Sequence, residues 1–290
     1  MVSIQELVSV GGKTTMRIGG KARYYAELAT KEDIEAAVKF STEKHIPLIV
    51  LGGGSNTVFA DGVIDALVVR LKHDAVQAEG NKLIVGAGKI LASLLMELAE
   101  RDLDLSLLTG IPGTVGGAIF GNAGQGHGGV WIGSFVESVT AYVDEQWQTF
   151  SKEECAFAYR ESVFKKWSGP PIIWEVTLRV PSKPKAEVLA EIDHLIKKRI
   201  ETQPHVKTAG SCFKSLPDGT PAWKLIDKAG LRGTKVGDVK IAEKHANFLL
   251  NTGKATFDDA KKIVELVRRK VPEKLEVEMR FIEEDGTTAF

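Results

Sequence analysis

Residues 47–60 read PLIVLGGGSNTVFA. An apolar run, Leu48 to Leu51, meets three consecutive glycines, Gly52, Gly53 and Gly54, and then two short polar residues, Ser55 and Asn56. A brief apolar run behind a proline is the pattern of a buried strand. Glycines at the end of such a strand leave backbone N–H groups bare, so that several can converge on one anion. The serine hydroxyl and the asparagine amide add hydrogen-bonding groups with little bulk. The combination suits a pyrophosphate. A tight turn between two strands is the competing reading, and a glycine run serves that equally well.

Around this stretch the chain alternates helix and strand. KEDIEAAVKFSTEKH (31–45) predicts a helix with Thr30 as N-cap and Ile34, Ala37 and Val38 on one face. IDALVVRL (64–71) and KLIVGAG (82–88) predict strands, and ILASLLMELAERD (90–102) a second amphipathic helix. That alternation indicates α/β layering. There follows TGIPGTVGGAIFGNAGQGHGG, nine glycines among residues 109–129. A flexible linker has that glycine content but is polar, whereas this segment carries Ile111, Val115, Ile119 and Phe120. It reads as ordered backbone packed close to something. Two separated glycine-rich segments, 52–54 and 110–129, suit a long ligand better than a mononucleotide, and FAD has that shape.

The commoner nucleotide motifs do not fit. GKT at 12–14 has Leu7 where a Walker loop needs its first glycine. GAGKIL (86–91) has two of the three Rossmann glycines, and no acidic residue ends a next strand about 20 residues on.

Further along, VESVTAYV (136–143) and WEVTLRV (174–180) predict strands, the second with Trp174, Val176, Leu178 and Val180 on one side. PSKPK (181–185) has linker composition. Beyond it come a strong helix, AEVLAEIDHLIKKRI, a shorter one, AWKLIDKAG, stopped by Gly230, and a third in TFDDAKKIVELVRRK (256–270), capped by Thr256 with Asp259 three residues on. EVEMRFI (276–282) predicts the last strand. Helices and strands mix differently here, so a separate α+β domain is expected at about 182–290.

The 290 residues allow two to three domains, and 43% apolar with 26% charged residues indicates a globular chain. Lys+Arg and Asp+Glu are 38 each, which argues against a general electrostatic grip on nucleic acid. No stretch approaches the roughly 18 apolar residues of a membrane span, and MVSIQELVSVGGKTTMR lacks the apolar core of a secretory signal. Cys155 and Cys212 are far apart and form neither a disulfide framework nor a CxxC site, so a reducing cytoplasm is the expected setting.

The ordered series TTMRIGGKARY, VLGGGSNTVF, GAGKILASLL, LLTGIPGTVGGAIFGNAG, AYRESVFK, AGSCFK, AGLRGTKVGDVKIAEKHANFLLN and EVEMRFI resembles the MurB family, the UDP-N-acetylenolpyruvoylglucosamine reductases. The match covers nearly the whole chain, and GIPGTVGGA, EKHANF and YRxSxF are individually specific. The resemblance implies an α+β flavoprotein with a vanillyl-alcohol-oxidase-type FAD-binding fold. Its limits here would be two FAD-binding α/β subdomains at 1–71 and 72–181 and a substrate-binding α+β domain at 182–290. It implies FAD held by Gly52, Gly53, Gly54, Ser55, Asn56, Gly113, Thr114 and Gly117. The short interval between Arg160 and Ser211 resembles the shorter family type, without the tyrosine-bearing loop that folds over substrate.

The implied reaction reduces the carbon–carbon double bond of an enolpyruvyl ether on a UDP-sugar, with NADPH as electron source and FAD as carrier. Three residues match the family's catalytic set. Arg160, in AYRESVF, would hold the substrate carboxylate and the charge that develops on it, for which a guanidinium fork is suited. Ser211, in AGSCFK, would donate the proton. Glu278, in EVEMRFI, would act with Arg160 on the intermediate. On a strand, Glu278 and Arg280 would share one face and Val277, Met279 and Phe281 the other. By residue type alone, each of the three has an ordinary explanation: a surface charge, a turn serine, a solvated pair. Cys212 has no histidine partner indicated and reads as a packing residue. His245 has no second ligand at metal spacing and reads as structural.

The sequence departs from the family pattern in three places. Ser215-Leu216 stand where Asn-Pro is usual, QGHGG follows the NAG of the glycine segment where an aromatic is common, and Glu283 follows RFI in place of glycine. Two rival functions follow: another flavin enzyme such as an oxidase of alcohols or sugars, against which the intact Arg–Ser–Glu trio argues, and an FAD- or nucleotide-binding protein without turnover, which Ser215 leaves open.

Overall fold

The structure is a computed structural model that describes residues 2–124, 129–167 and 169–290; most of the QGHGG segment lies outside them. The chain divides into two compact units. Unit 1 comprises Met1–Ile4, Ala26–Gly53 and Val68–Arg199, and unit 2 comprises Gln5–Tyr25, Gly54–Leu67 and Ile200–Phe290. The division falls inside the glycine run, so Gly53 belongs to unit 1 and Gly54 to unit 2.

Unit 1 is built on a five-stranded antiparallel sheet in the order Val76–Glu79, Lys82–Gly86, Ile172–Arg179, Val136–Val143, Gln146–Ser151. The alternation in WEVTLRV is realised: Trp174, Val176, Leu178 and Val180 are all buried. Val176 pairs with Val85 on one side and Val139 on the other. Helix α1 (Lys31–Lys44) starts at the expected Thr30, whose Oγ1 accepts from Asp33 N while Asp33 accepts from Thr30 N, a reciprocal cap. Helix α2 (Leu91–Ala99) has no side-chain cap and is held by packing, with Leu91, Leu94, Leu95 and Leu98 buried in the unit's core. Burying each such side chain contributes about 1.5–3 kcal/mol. It stops three residues before the expected end, because the chain turns through Asp102 at φ 56°.

Over its described residues 109–124 the glycine-rich segment is ordered, as its apolar residues indicate, and contains a helix, α3 (Val115–Phe120), that buries Val115, Ala118 and Ile119. PSKPK does not behave as a free linker. Pro181 O accepts from Asp104 N (2.9 Å), Lys183 N donates to Asp102 O (2.9 Å) and Lys185 N to Asp102 Oδ1 (2.7 Å), which fixes the start of α4 (Lys185–Thr202).

Unit 2 contains an antiparallel sheet in the order Thr208–Ser211, Phe248–Asn251, Val239–Ile241, Lys235–Val236. Helix α5 (Ala222–Lys228) is followed by Gly230 at φ 71°, and α6 (Phe257–Lys270) carries the Thr256–Asp259 reciprocal cap. Phe257, Ala260, Ile263, Val264 and Val267 of α6 share a core with Met16, Val58, Cys212, Met279 and Phe281.

The strand expected in EVEMRFI is shorter, with only Arg280–Ile282 regular, and it is not the last: Thr288–Ala289 follows and pairs with it antiparallel. The chain changes partner at Met279. Before it, Glu276 O accepts from Lys214 N (2.9 Å) and Glu278 N donates to Cys212 O (2.8 Å); after it, Arg280–Ile282 pairs in parallel with Thr57–Phe59. The expected alternation survives the switch, with Val277, Met279 and Phe281 all packed into the core. Among the described residues, no helix is long and apolar enough to cross a membrane.

Candidate active site

In unit 1 three glycine loops meet through their backbones. A Cβ on Gly53 would come within 2.6 Å of Gly113 Cα, and one on Gly52 within 2.8 Å of Thr114 Oγ1. Such distances leave no room for a side chain. Gly113 lies in the left-handed region at φ 108°, whereas Gly53 does not, so it is the approach of the loops that demands glycine at 53. The GAGKIL turn joins them: Leu91 N donates to Gly113 O (3.0 Å), Val115 N to Lys89 O (2.8 Å) and Gly116 N to Ala87 O (2.9 Å). Arg70 fixes the first glycine, donating from Nε (3.1 Å) and Nη2 (2.9 Å) to Gly52 O. Thr114 caps α3, its Oγ1 accepting from Gly117 N at 3.3 Å.

Thus Gly52, Gly53, Gly113, Thr114 and Gly117 are brought together in one unit. A Cβ on Gly117 would meet only Thr114 Oγ1, at an ordinary 3.5 Å, so packing within the unit does not require glycine there. Bare backbone beside a hydroxyl, with no side chain in the way, fits a pyrophosphate-bearing flavin.

Arg160 belongs to unit 1 and sits on a two-residue turn. Ala158 and Glu161 exchange both backbone hydrogen bonds at 3.1 Å, leaving Tyr159 and Arg160 at the tip. Arg160 has φ 56°, a region that costs an L-residue about 1–2 kcal/mol. The turn is tied to the C-terminal end of α3. Ser162 Oγ donates to Phe120 O (2.7 Å), and Asn122 Nδ2 donates to Ala158 O (2.8 Å) while its Oδ1 accepts from Gly133 N (3.0 Å). Asn122 and Ser162 are both buried. A six-residue helix spans about 9 Å, so α3 sets the spacing between the glycine loops at one end and the Arg160 turn at the other. A second guanidinium, Arg199 of α4, donates from Nη1 to Thr109 O at 3.0 Å. Burial, and next the charge of Arg160, lower its pKa. Two cationic forks within electrostatic reach suit an anionic substrate group.

In unit 2, Ser211 and Glu278 come together. Ser211 ends a strand whose pairing with Phe248–Asn251 is irregular between Thr208 and Ser211. Gly210, at φ 76° and with open space around its Cα, makes that irregularity, and such bulges re-aim the following side chain. The segment after Ser211 is clamped on both sides. Glu278 N donates to Cys212 O, and Cys212 N donates to Asn247 O, each at 2.8 Å. The buried Asn247 side chain brackets Phe213, accepting from its N–H (3.0 Å) and donating to its carbonyl (2.8 Å). The EKHANF motif therefore acts through its asparagine. His245 accepts from Asn247 N at Nδ1 (3.3 Å), and burial, then the charge of Arg232, lower its pKa. Cys212 is fully buried, and desolvation, with the Glu278 carboxylate nearby, raises its thiol far above the ordinary range, in keeping with a packing residue. Burial likewise pushes Cys155 up to about 12.

Gly54, Ser55 and Asn56 lie in unit 2. Gly54, at φ 67°, lets its peptide approach the TTMR segment: its carbonyl accepts from Thr15 N (3.0 Å), and a Cβ would sit 2.8 Å from Thr14 Cα. Thr15 Oγ1 donates in turn to Thr208 O (2.6 Å). Among the described residues, no group of three His, Cys, Asp or Glu is placed to hold a metal ion.

Residues 22–143 match the family profile described as FAD binding domain, and residues 202–281 that of UDP-N-acetylenolpyruvoylglucosamine reductase, C-terminal domain. Over 269 residues the chain is 38% identical to the UDP-N-acetylenolpyruvoylglucosamine reductase of Thermotoga petrophila, covering 92% of this chain and 93% of that one. The protein of the same name from Aquifex aeolicus is 36% identical over 291 residues, 94% and 93% of the two chains. The crystal structure of UDP-N-acetylenolpyruvylglucosamine reductase (MurB) from Thermus caldophilus superposes with a TM-score of 0.84 at 33% identity, over 97% of this chain and 99% of that one. The expected α+β, FAD-binding fold is thereby borne out. Because these matches, at 33–38% identity, run over nearly the whole chain, through both the glycine loops and the Ser211–Glu278 segment, the chain belongs to the UDP-N-acetylenolpyruvoylglucosamine reductase family.

Proposed function

We propose that this chain reduces the enolpyruvyl double bond of UDP-N-acetylglucosamine enolpyruvate to UDP-N-acetylmuramate, a step of peptidoglycan precursor synthesis, with FAD bound and NADPH as electron source. The observation that carries this reading is the hydrogen bond from Glu278 N to Cys212 O, which sets Glu278 beside the residue that follows Ser211, in a chain of this family. When bound, FAD would supply a hydride, two electrons with one hydrogen, to the terminal vinyl carbon. The chain's own residues do the rest. The Arg160 fork holds the substrate carboxylate and the negative charge that grows on it. The Ser211 hydroxyl gives a proton to the neighbouring carbon, and Glu278 assists as a second acid at the same intermediate. Gly52, Gly53, Gly54, Ser55, Asn56, Gly113, Thr114 and Gly117 would line the flavin. The FAD-binding match supports assigning 1–71 and 72–181 to the flavin, and the C-terminal match supports assigning 182–290 to the UDP-sugar. The cytoplasm is the proposed location, with neither nucleic acid nor membrane as partner.

The purified protein should be yellow, and its consumption of NADPH should depend on the enolpyruvyl sugar nucleotide and yield UDP-N-acetylmuramate. NADPH oxidation indifferent to that sugar would overturn the reading. An oxidase would instead be reoxidised by oxygen with a different substrate, and a protein without turnover would keep its reduced flavin.

Gly53→Val should lose flavin. Its branched side chain would collide with Gly113, where even a lone Cβ is 2.6 Å away, and force the two loops apart. The ratio of visible flavin absorbance to protein, read alongside far-ultraviolet circular dichroism, checks this. A folded variant carrying full flavin would remove these loops from the flavin site.

A further inference from the structure

We propose that Asn56 is a positioning residue for Glu278, holding the peptide of that acid rather than serving the cofactor alone. The inference rests on the reading that Glu278 takes part in the reaction. Thr57–Phe59 and Arg280–Ile282 form a parallel ladder with Thr57 opposite Arg280. One residue earlier the ladder continues: Arg280 N donates to Asn56 O at 2.9 Å. On the other side, Asn56 Nδ2 donates to Glu278 O at 3.0 Å. In a regular parallel pair, a backbone N–H would fill that second position. Here the side-chain amide does so, and Asn56 grips the chain on both sides of Met279.

This grip sits where the acid most needs it. Residues 276–278 bond to the 212–214 segment and residues 280–282 to 57–59, so Met279 is the point of exchange between two partners. The Glu278 backbone is held from its N–H to Cys212 O and from Asn56 to its carbonyl, beside a longer bond from the next N–H, of Met279, to Cys212 O (3.4 Å). The first ties it to the residue after Ser211. The second ties it to the residue two beyond Gly54. Removing the Asn56 amide frees one end of that peptide and lets the Glu278 side chain sample other directions, while Met279 and Phe281 stay anchored in the core. Small displacements of a catalytic group cost far more rate than stability.

Two variants of the holoprotein separate the possibilities. Asn56→Asp keeps the size but replaces the donor with an acceptor that faces the Glu278 carbonyl; Asn56→Ala removes both. Three quantities are read: flavin content, the rates of flavin reduction by NADPH and of reoxidation by the enolpyruvyl sugar nucleotide, and amide hydrogen exchange over residues 276–282. In both variants, reoxidation per bound flavin is expected to fall roughly 10–100-fold, more than any fall in flavin reduction, and exchange over 276–282 to rise. If Asn56→Asp loses flavin while exchange and reoxidation per bound flavin match wild type, Asn56 serves the cofactor and the proposal is wrong. An Asn56→Asp protein equal to wild type throughout would also overturn it, since packing alone would then suffice. A wild-type protein that the sugar nucleotide does not reoxidise would sink the proposed function instead, and the exchange measurement would still decide whether Asn56 holds Glu278.

Discussion

Ser211→Ala should leave the reduction of bound flavin by NADPH nearly unchanged and slow its reoxidation by the enolpyruvyl sugar roughly 10²–10⁴-fold. The two halves of the reaction ask different things of the protein. Reducing the flavin requires no proton on the sugar's carbon, whereas reoxidising it does. The variant is a clean test because the local backbone does not depend on the hydroxyl. The segment is fixed by Cys212 N to Asn247 O, by Phe213 to the Asn247 side chain and by Cys212 O to Glu278 N, all of which survive the loss of one oxygen. Thermal stability should therefore change little. Ser211→Cys should restore part of the rate, since a thiol also donates a proton. Stopped-flow absorbance of the flavin separates the half-reactions. The opposite pattern, slow reduction with normal reoxidation, would return Ser211 to the status of a turn residue that Gly210 alone explains.

What could be read from the sequence was what is local. Thr30 and Thr256, each three residues before an aspartate, mark helix starts because a cap is written within four residues. WEVTLRV shows its buried face through strict alternation, and the glycine run shows bare backbone. What escaped are side chains that satisfy backbone groups far away in sequence. Asn247 acts on a residue 34 positions earlier, Asn122 on one 36 later and Asn56 on one 222 later. An asparagine that completes a distant ladder leaves no periodic trace. All three residues lie in quoted motifs. In EKHANF and GNAG the histidine and the glycines are the conspicuous residues, and in GGGSN the asparagine reads as a cofactor ligand. Gly53 shows the same limit from the other direction. Its sequence neighbourhood indicates that a side chain is forbidden, but only the fold shows that the forbidding atom is Gly113 Cα. The shortening of the 276–282 strand to Arg280–Ile282 is hidden too, because Val277, Met279 and Phe281 keep their alternation while the hydrogen-bond partner changes beneath them.

Arg160 should show activity and stability moving apart. Arg160→Lys keeps a positive charge but loses the planar fork, and substrate reduction is expected to fall roughly 10²–10³-fold, the usual cost of removing a group aimed at developing charge, while flavin stays bound. Arg160→Gly tests the same position from the side of the backbone. At φ 56° the arginine occupies a conformation natural to glycine, so this variant relieves about 1–2 kcal/mol of backbone strain. The relief is offset in part by the greater freedom that glycine has when unfolded. The turn itself should persist, because Asn122, Ser162 and the Ala158–Glu161 pair hold it through main-chain groups and neighbouring side chains. Arg160→Gly should thus fold, the strain relief set against the lost contact of the guanidinium with the Tyr159 ring, and still reduce the enolpyruvyl sugar at least as poorly as Arg160→Lys. A surface arginine gives another result, with turnover untouched in both variants. An arginine needed only for folding would lower the melting temperature of the glycine variant and drag activity down with it. A strained non-glycine residue is retained where its side chain is worth more than the strain, and stable folding of Arg160→Gly without turnover would identify catalysis as what the fork contributes.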